Sequence, residues 1–457
     1  MSIFACPCLN YLHQLYVNMH FRINPFVKKY TQGGLIALFN SLTLDTVYFD
    51  KTEYEESIED PPQLLYDNDF LVPCNFDALS YFIKKVPKSN PSIDVAYFLL
   101  TSACDFRCKY CFVETRMNKV MDTNMSEEIA IKALKLLKRT VKDNPVSIVL
   151  YGGEPLLRFD MIRYVVSCAK QLHLNANYVM VTNGSVMNEE IATFLRDNNF
   201  EVGVSLDGDR ETNDKMRIDS DGKGTYERVS KTIEQLLLHN ITPGISCTLS
   251  KHNMDRPIEI LNYLKKHKLF CVSFNLPAPN GNITIDDGDR KSLVKNLMRA
   301  ETELVNEGVL EDKVVDRRLR AFIEKNIWLR DCAAYGQQIV VMPNGKVGVC
   351  HGLWPDKENS NDNSFFDIDV NYDGEIAEHP NWKEWRSRTV YNMPQCWNCP
   401  AISLCGGGCA KNALIKHNSI WEVDSDICIL MQEVVPWVIW TYYDKVNQQL
   451  KKGGITK

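Results

Sequence analysis

The sequence predicts an α/β fold built on a parallel sheet, flanked by a small N-terminal unit and a cysteine-rich C-terminal region. Three observations carry this. From Ile93 to about Leu310, strand-like and helix-like segments alternate, and repeated βα units lay parallel strands side by side with helices outside. The polar and glycine-rich residues of that stretch fall at the strand ends, where parallel barrels gather their active sites. From Cys332 onward the alternation gives way to cysteines at short, fixed spacings, the pattern of a metal-binding region.

At 457 residues the chain suits two or three domains, and 45% apolar with 24% charged residues fits a sizeable core. A net charge of −6 gives no basic footprint, so no nucleic-acid partner is expected. Sixteen cysteines, clustered in ligand spacings within a long chain, imply a reducing cytoplasm rather than secreted disulfides. The first 18 residues have no Lys or Arg ahead of their apolar residues and no signal-peptide layout. They read as a disordered extension, or as a stretch preceding a working start at Met19. The apolar run Val434 to Tyr443 is interrupted by Pro436 and falls short of the ~20 residues that cross a bilayer. It is expected to be a packed C-terminal helix, with no membrane partner.

In order, residues 1–30 form an extension and residues 31–90 a compact unit. Thr31 to Asp50 reads as a β-hairpin turning near Asn40-Ser41, and Asp50 caps a short acidic helix. Phe70 to Pro73 is a further short strand, and a helix runs from Asn75 to about Lys85. Within 91–310, strands are expected at 94–101, 147–151, 178–182, 202–206, 241–248 and 272–276. Ser126 caps a helix whose Ala130, Ala133, Leu134, Leu137 and Val141 share one face, and Val229, Ile233, Leu236 and Leu237 make a second stripe. Both stripes are read as core. Ala278 to Asp289 begins a loop over the barrel mouth. Residues 311–331 are a helical connector whose Arg317, Arg318, Arg320 and Glu324 read as a solvated face. Residues 332–430 hold the second cysteine array, and 431–457 the C-terminal helix and tail.

The first strand runs into Cys104-x3-Cys108-x2-Cys111, with Tyr110 just before the last cysteine. An ordinary 4Fe-4S cluster takes four thiolates, so three leave one iron open; a zinc site is the alternative. The second strand ends in Gly152-Gly153-Glu154-Pro155. Its glycines permit close backbone approach, and carbonyls with the Glu154 carboxylate offer acceptors to an ammonium group. The third ends in Thr182-Asn183-Gly184, a turn signal. The fourth ends in Ser205-Leu206-Asp207-Gly208, followed by a stretch containing Arg217.

These motifs, in this order, resemble those of the radical S-adenosylmethionine (SAM) enzymes. The resemblance implies a partial (βα)6 TIM-like barrel and a 4Fe-4S cluster on Cys104, Cys108 and Cys111, its open iron chelated by SAM. It implies a SAM pocket drawn from Tyr110, Gly152, Gly153, Glu154, Pro155, Asn183, Ser205, Asp207 and Arg217. The Gly-Gly-Glu-Pro segment would meet the SAM amino group, Ser205 and Asp207 would stand near the ribose and sulfonium, and Arg217 would meet the carboxylate. A plain turn residue at Asp207 and a surface arginine at Arg217 are the competing readings.

The later array, Cys332, Gly345-x4-Cys350, Cys396-x2-Cys399-x5-Cys405-x3-Cys409 and Cys428, resembles the seven-cysteine SPASM extension, which holds two auxiliary 4Fe-4S clusters. The family's interleaved assignment implies one cluster on Cys396, Cys399, Cys405 and Cys428. The other, on Cys332, Cys350 and Cys409, is then one ligand short. That ligand is a substrate thiolate, a nitrogen or oxygen side chain, or one of Cys6, Cys8, Cys74, Cys168, Cys247 and Cys271, which otherwise read as small buried hydrophobes. A zinc ribbon over 396–409 is the competing reading. The related sulfatase maturases have a further cysteine where this chain has Gln338, and a proton-removing aspartate where it has His351. His351 is the candidate catalytic base, with a packing role as its alternative.

In element order, the N-terminal unit is similar to the small winged-helix-like leader-peptide recognition module of many peptide-modifying radical SAM proteins. Such a module would take a peptide up as an added strand; an unspecialised cap is the other reading. Together the resemblances imply a radical SAM/SPASM maturase that installs a thioether or carbon–carbon crosslink in a ribosomally made precursor peptide through a 5'-deoxyadenosyl radical. An external low-potential donor such as flavodoxin or ferredoxin would supply the electron. Oxidation of a protein Cys or Ser to formylglycine is the second reading. A non-catalytic iron-sulfur carrier or peptide scaffold is the third, and Gly152 to Pro155 speaks against it, since a carrier has no need of a SAM pocket.

Overall fold

The computed structural model describes residues 21–85, 92–111, 124–277, 283, 285–307, 311–312, 315–354, 365–368 and 375–452. The expected extension up to Met19, Cys6, Cys8 and the start of the mouth loop at 278–282 lie outside the described residues.

The N-terminal unit begins before residue 31. Strands β1 (Phe21–Ile23), β2 (Val27–Gln32), β3 (Leu35–Asn40) and β4 (Thr46–Phe49) precede helices α1 (Lys51–Glu59) and α2 (Gln63–Asp67), strand β5 (Leu71–Pro73) and helix α3 (Ala78–Lys85). β2, β3 and β4 form an antiparallel meander, while β1 pairs with β5 and ties residues 21–23 into the unit. The expected hairpin is β3–β4. The sequence pattern hides most of β2 because Lys28, Lys29 and Gln32 break its apolar alternation. Gly33 and Gly34, at φ 57° and 85°, turn the chain from β2 to β3. Asp50 caps α1 as expected, in a full capping box with Glu53. Phe26, Leu42, Ala78 and Phe82 pack on Val390, Tyr391 and Ile402, so the unit is docked on the cysteine-rich region. The Ser403 hydroxyl donates to the Leu42 carbonyl across the same interface at 2.9 Å.

Strands β6 (Val95–Thr101), β7 (Val146–Gly152), β8 (Ala176–Thr182), β9 (Glu201–Ser205), β10 (Gly244–Thr248), β11 (Cys271–Asn275) and the short β12 (Glu311–Asp312) lie parallel, each beside the next in sequence. The connections carry α4 (Glu127–Val141), α5 (Phe159–Gln171), α6 (Glu189–Asp197), α7 (Arg210–Met216), α8 (Tyr226–Leu238), α9 (Pro257–Lys266) and α10 (Asp287–Glu307). Stepwise winding without a reversal is the wall of a barrel, here left open. The expected apolar face of α4 is fully buried, and Ser126 caps it by accepting from the Ile129 amide. On α8 the stripe is Val229, Ile233 and Leu236, whereas Leu237 is half-exposed and falls off the buried face.

Two features depart from the expected domain layout. Strand β13 (Gln338–Val341) pairs parallel with β6, and β14 (Lys346–Gly348) and β15 (Phe365–Asp367) continue antiparallel from it. The cysteine-rich region therefore extends the barrel sheet, which runs from β12 to β15 through ten strands. The connector helix α11 (Asp316–Ile323) is not simply a solvated face. Arg318 is 0% exposed, 3.1 Å from the Asp331 carboxylate and against the Trp328 ring, while Arg320 and Glu324 are exposed as expected. Helices α12 (Pro380–Ser387), α13 (Ala410–His417) and α14 (Ser425–Lys452) complete the chain. α14 starts ahead of residue 431, carries Cys428 near its start, and buries Val434, Val435, Val438 and Ile439 around Pro436. Among the described residues, no helix is long and apolar enough to cross a membrane.

Candidate functional site

A cavity of about 770 Å³ opens at the C-terminal strand ends, and six cysteines line it: Cys104, Cys108 and Cys111, together with Cys332, Cys350 and Cys409. The loop after β6 is pinned to the C-terminal end of α7 and the residues just after it, where the amides of Arg107 and Lys109 donate to the carbonyls of Ile218 and Met216 at 2.7 and 2.9 Å. The Arg107 guanidinium folds back on the Cys104 carbonyl at 2.6 Å. Asn183, at the end of β8, brings its side-chain amide to 3.4 Å from the Cys104 sulfur and 3.1 Å from the Asp105 carboxylate.

The glycines at the end of β7 act through their missing side chains. A Cβ on Gly152 would stand 2.3 Å from the Thr101 carbonyl oxygen, and one on Gly153 would stand 2.2 Å from that of Ala103. Only glycine lets β7 end against the cysteine loop. Glu154 and Pro155 are not part of the cavity wall. Glu154 is 0% exposed and accepts from the Thr182 hydroxyl at 2.7 Å and from the amides of Asn183 and Leu156 at 2.6 and 3.0 Å. Burial pushes its carboxyl up to about 7, against those hydrogen bonds. Glu154 thus ties β7 to β8, and a buried Pro155 begins the single turn that follows.

Asp207 is also buried behind the wall. Its carboxylate accepts from the Tyr110 hydroxyl at 2.6 Å and the Thr248 amide at 2.9 Å, and pairs with the Arg217 guanidinium at 3.2 Å. Arg217 is no surface arginine: it is 5% exposed, lines the cavity and lies 5.3 Å from the Tyr110 ring. Its Nε is buried and has no hydrogen-bond partner among the described residues. Ser205 lines the cavity as expected, but so do Ser246, Thr248 and Asn275 from β10 and β11, which no motif in the sequence marks.

Next to Cys350, the His351 ring stacks on Tyr97 at 4.3 Å and meets Tyr151 edge-on at 5.6 Å, with Nδ1 buried and without a partner among the described residues. Burial, with the Lys411 charge beside it, depresses the imidazole to about 4, so the ring is neutral and a weaker base than its type implies. Lys411 itself is absent from the expected site. It is 7% exposed and lines the cavity with Cys350 and Cys409. A Cβ on Gly352 would stand 2.5 Å from its Cδ. The only sequence signal for it is its place two residues beyond Cys409, after Gly406-Gly407-Gly408.

Cys396, Cys399, Cys405 and Cys428 lie apart from this cavity but near one another: burial first, and the charges of Cys399 and Cys428 after it, push thiols of the set up. Gln338 does not line the cavity; its amide donates to the Val349 carbonyl at 2.8 Å. Cys168 and Cys247 are buried, as expected of small hydrophobes, Cys271 is half-buried, and Cys74 is exposed, against expectation. Among the described residues no three His, Cys, Asp or Glu side chains converge on a single-ion site.

A cavity ringed by thiols, with a close-set glycine backbone and an unpartnered buried guanidinium nitrogen, fits an iron-sulfur group beside a ligand bearing a carboxylate. Such a site at the C-terminal ends of a singly wound parallel sheet defines an enzyme of the partial-barrel α/β class. Residues 98–264 match the Radical SAM superfamily. Radical SAM cyclopropyl synthase TigE of Paramaledivibacter caminithermalis is 24% identical over 76% of this chain and 74% of its own. A cysteine-type anaerobic sulfatase-maturating enzyme of Clostridium novyi is 25% identical over 68% of this chain and 86% of its own. Among solved structures, anSMEcpe with bound AdoMet superposes with a TM-score of 0.66 at 20% identity, covering 77% of this chain and 99% of that one. Streptococcus suis SuiB bound to precursor peptide SuiA gives 0.55 at 16% identity, covering 89% and 99%. The chain thus carries a Radical SAM superfamily domain over residues 98–264, and the relatives that match most of its length are a radical SAM synthase and sulfatase-maturating enzymes.

Proposed function

We propose that the chain is a peptide maturase that forms an oxidative crosslink in a ribosomally made precursor peptide, with a sulfur-to-carbon bond favoured over carbon–carbon. One observation carries this: Cys104, Cys108 and Cys111 share a single cavity with Cys332, Cys350 and Cys409. A substrate carbon held before the first set is then beside the second, whose three thiols leave room for a substrate sulfur. When bound, the clusters and SAM supply a 5'-deoxyadenosyl radical that takes a hydrogen atom from substrate carbon, and an acceptor for the electron left over.

The chain's own residues do the rest. Cys104, Cys108 and Cys111 would hold the SAM-binding cluster, and Asn183 would donate to one of its sulfurs. Arg217, held by Asp207 and stacked on Tyr110, would present Nε to the SAM carboxylate, and backbone at Gly152 and Gly153 would face the amino group. Glu154 and Asp207 would position this wall rather than touch SAM. Cys396, Cys399, Cys405 and Cys428 would hold a closed auxiliary cluster. Lys411 would draw an anionic substrate group toward the open auxiliary site, and neutral His351 would shape its floor. The outer edge of β2 carries no strand partner among the described residues, which supports leader uptake by strand addition.

The test is mass combined with thiol alkylation on a cysteine-containing precursor peptide after turnover. A loss of two hydrogens with one thiol consumed supports a thioether, and the same loss with every thiol free and no aldehyde trapped by hydroxylamine supports a carbon–carbon bond. Conversion of a single Cys or Ser to formylglycine would replace the crosslink reading with the sulfatase-maturase one.

A further inference from the structure

Arg388, the residue after α12, is 0% exposed. Its guanidinium donates to the Tyr335 hydroxyl at 2.8 Å, to the carbonyls of Gly407 and Glu422 at 2.9 Å each and of Gly408 at 3.4 Å, and to the Ile420 carbonyl. Every one of these acceptors is neutral. The neighbouring acids are engaged elsewhere: Asp424 with the Cys409 amide and Asn412, Asp426 with Lys416 and Arg290, Asp331 with Arg317 and Arg318. A full positive charge is therefore buried among dipoles, a state that is unfavourable unless an opposite charge stands close by.

Its place indicates which charge that is. Gly407 and Gly408 belong to the span joining Cys405, of the closed set, to Cys409, of the set on the cavity. The three glycines of that span all have positive φ, 69°, 83° and 66°. A Cβ on Gly407 would stand 3.1 Å from Arg388 Nη1, so the span is bare where the guanidinium lies against it. The Glu422 carbonyl lies six residues ahead of Cys428 in the chain. Tyr335 closes the arrangement by accepting from the Ala410 amide at 3.0 Å.

We propose that Arg388 is the built-in counter-charge of the auxiliary cysteine array, raising the reduction potential of the iron-sulfur groups held there and so favouring removal of an electron from substrate. The inference rests on the auxiliary-cluster reading above. Net charge is among the terms that set such potentials, and in a low-dielectric interior a fixed charge acts with little screening. Arg388 is on this account a positioning and tuning residue, with no contact to substrate.

The test uses the full chain with Cys104, Cys108 and Cys111 all changed to Ala, so that iron remains only in the auxiliary array, and follows reduction by EPR-monitored redox titration. Arg388→Gln should make the array at least tenfold harder to reduce, about 59 mV for a one-electron couple, while Arg388→Lys should stay near the parent. If Arg388→Gln binds no iron but Arg388→Lys does, charge is again the requirement. Equal shifts in both variants, equal failure of both to hold iron, or an unmoved potential in Arg388→Gln would overturn the proposal. A parent that holds no auxiliary iron would instead overturn the cluster reading on which it rests.

Discussion

The Tyr110 hydroxyl donates to the Asp207 carboxylate at 2.6 Å, joining the cysteine loop to the end of β9 across ninety-seven residues of sequence. Arg217 closes the group from α7, paired with the same carboxylate and lying over the Tyr110 ring. Asp207→Asn keeps the shape but leaves a buried guanidinium uncompensated, a loss of about 3–5 kcal/mol. The expected outcome is a lower melting temperature and at least tenfold weaker SAM binding, read by calorimetry on the reconstituted protein. Tyr110→Phe removes one hydrogen bond and should cost about 1–3 kcal/mol.

Gly153→Ala tests the backbone contact at the end of β7. Its methyl carbon would meet the Ala103 carbonyl oxygen at 2.2 Å, and no side chain can move aside to relieve it. The cysteine loop must shift, so SAM affinity and iron retention should both fall, and stability should drop by about 1–3 kcal/mol. Gly222→Ala, with open space around its Cβ but a φ of 78°, controls for the cost of losing a glycine outside the site.

Replacing Cys104, Cys108 and Cys111 together by Ala should lower iron content from about twelve to about eight per chain, at four irons per cluster. Anaerobic purification with iron and sulfide assays checks this. Zinc in place of iron in the remaining array would refute the auxiliary assignment.

Lys411→Met keeps the length of a side chain that lies on Gly352 and removes its charge. Peptide modification should slow at least tenfold, while iron content and SAM cleavage without peptide stay near wild type. Rapid-quench turnover with mass detection separates the two. Lys411→Arg should recover part of the rate.

The six barrel strands are legible in the sequence because each is a short apolar run bounded by turns, and their ends name Cys104, Gly152, Asn183, Ser205 and Asp207 directly. Spacing also separates the two cysteine sets before any geometry. What stays hidden is the direction in which polar side chains turn. Glu154 and Asp207 look like ligands in one dimension, yet Glu154 is used up on Thr182, Asn183 and Leu156, and Asp207 on Tyr110, Arg217 and Thr248. Arg318 looks like surface charge, and nothing marks Arg388 at all, because burial of an arginine depends on partners far away in sequence. β13 escapes notice for its length: the four residues Gln338–Val341 declare themselves only by pairing with β6.

That pairing limits how the chain can be cut or recombined. A polypeptide ended before β13 would bare the flank of β6, whose Ala96, Phe98, Leu99 and Leu100 are 0% exposed in the whole chain, and would leave a long apolar edge open to other chains. The catalytic barrel and the cysteine array are thus not beads on a string. They fold as one sheet, and a separately produced barrel is expected to aggregate rather than give a simpler enzyme.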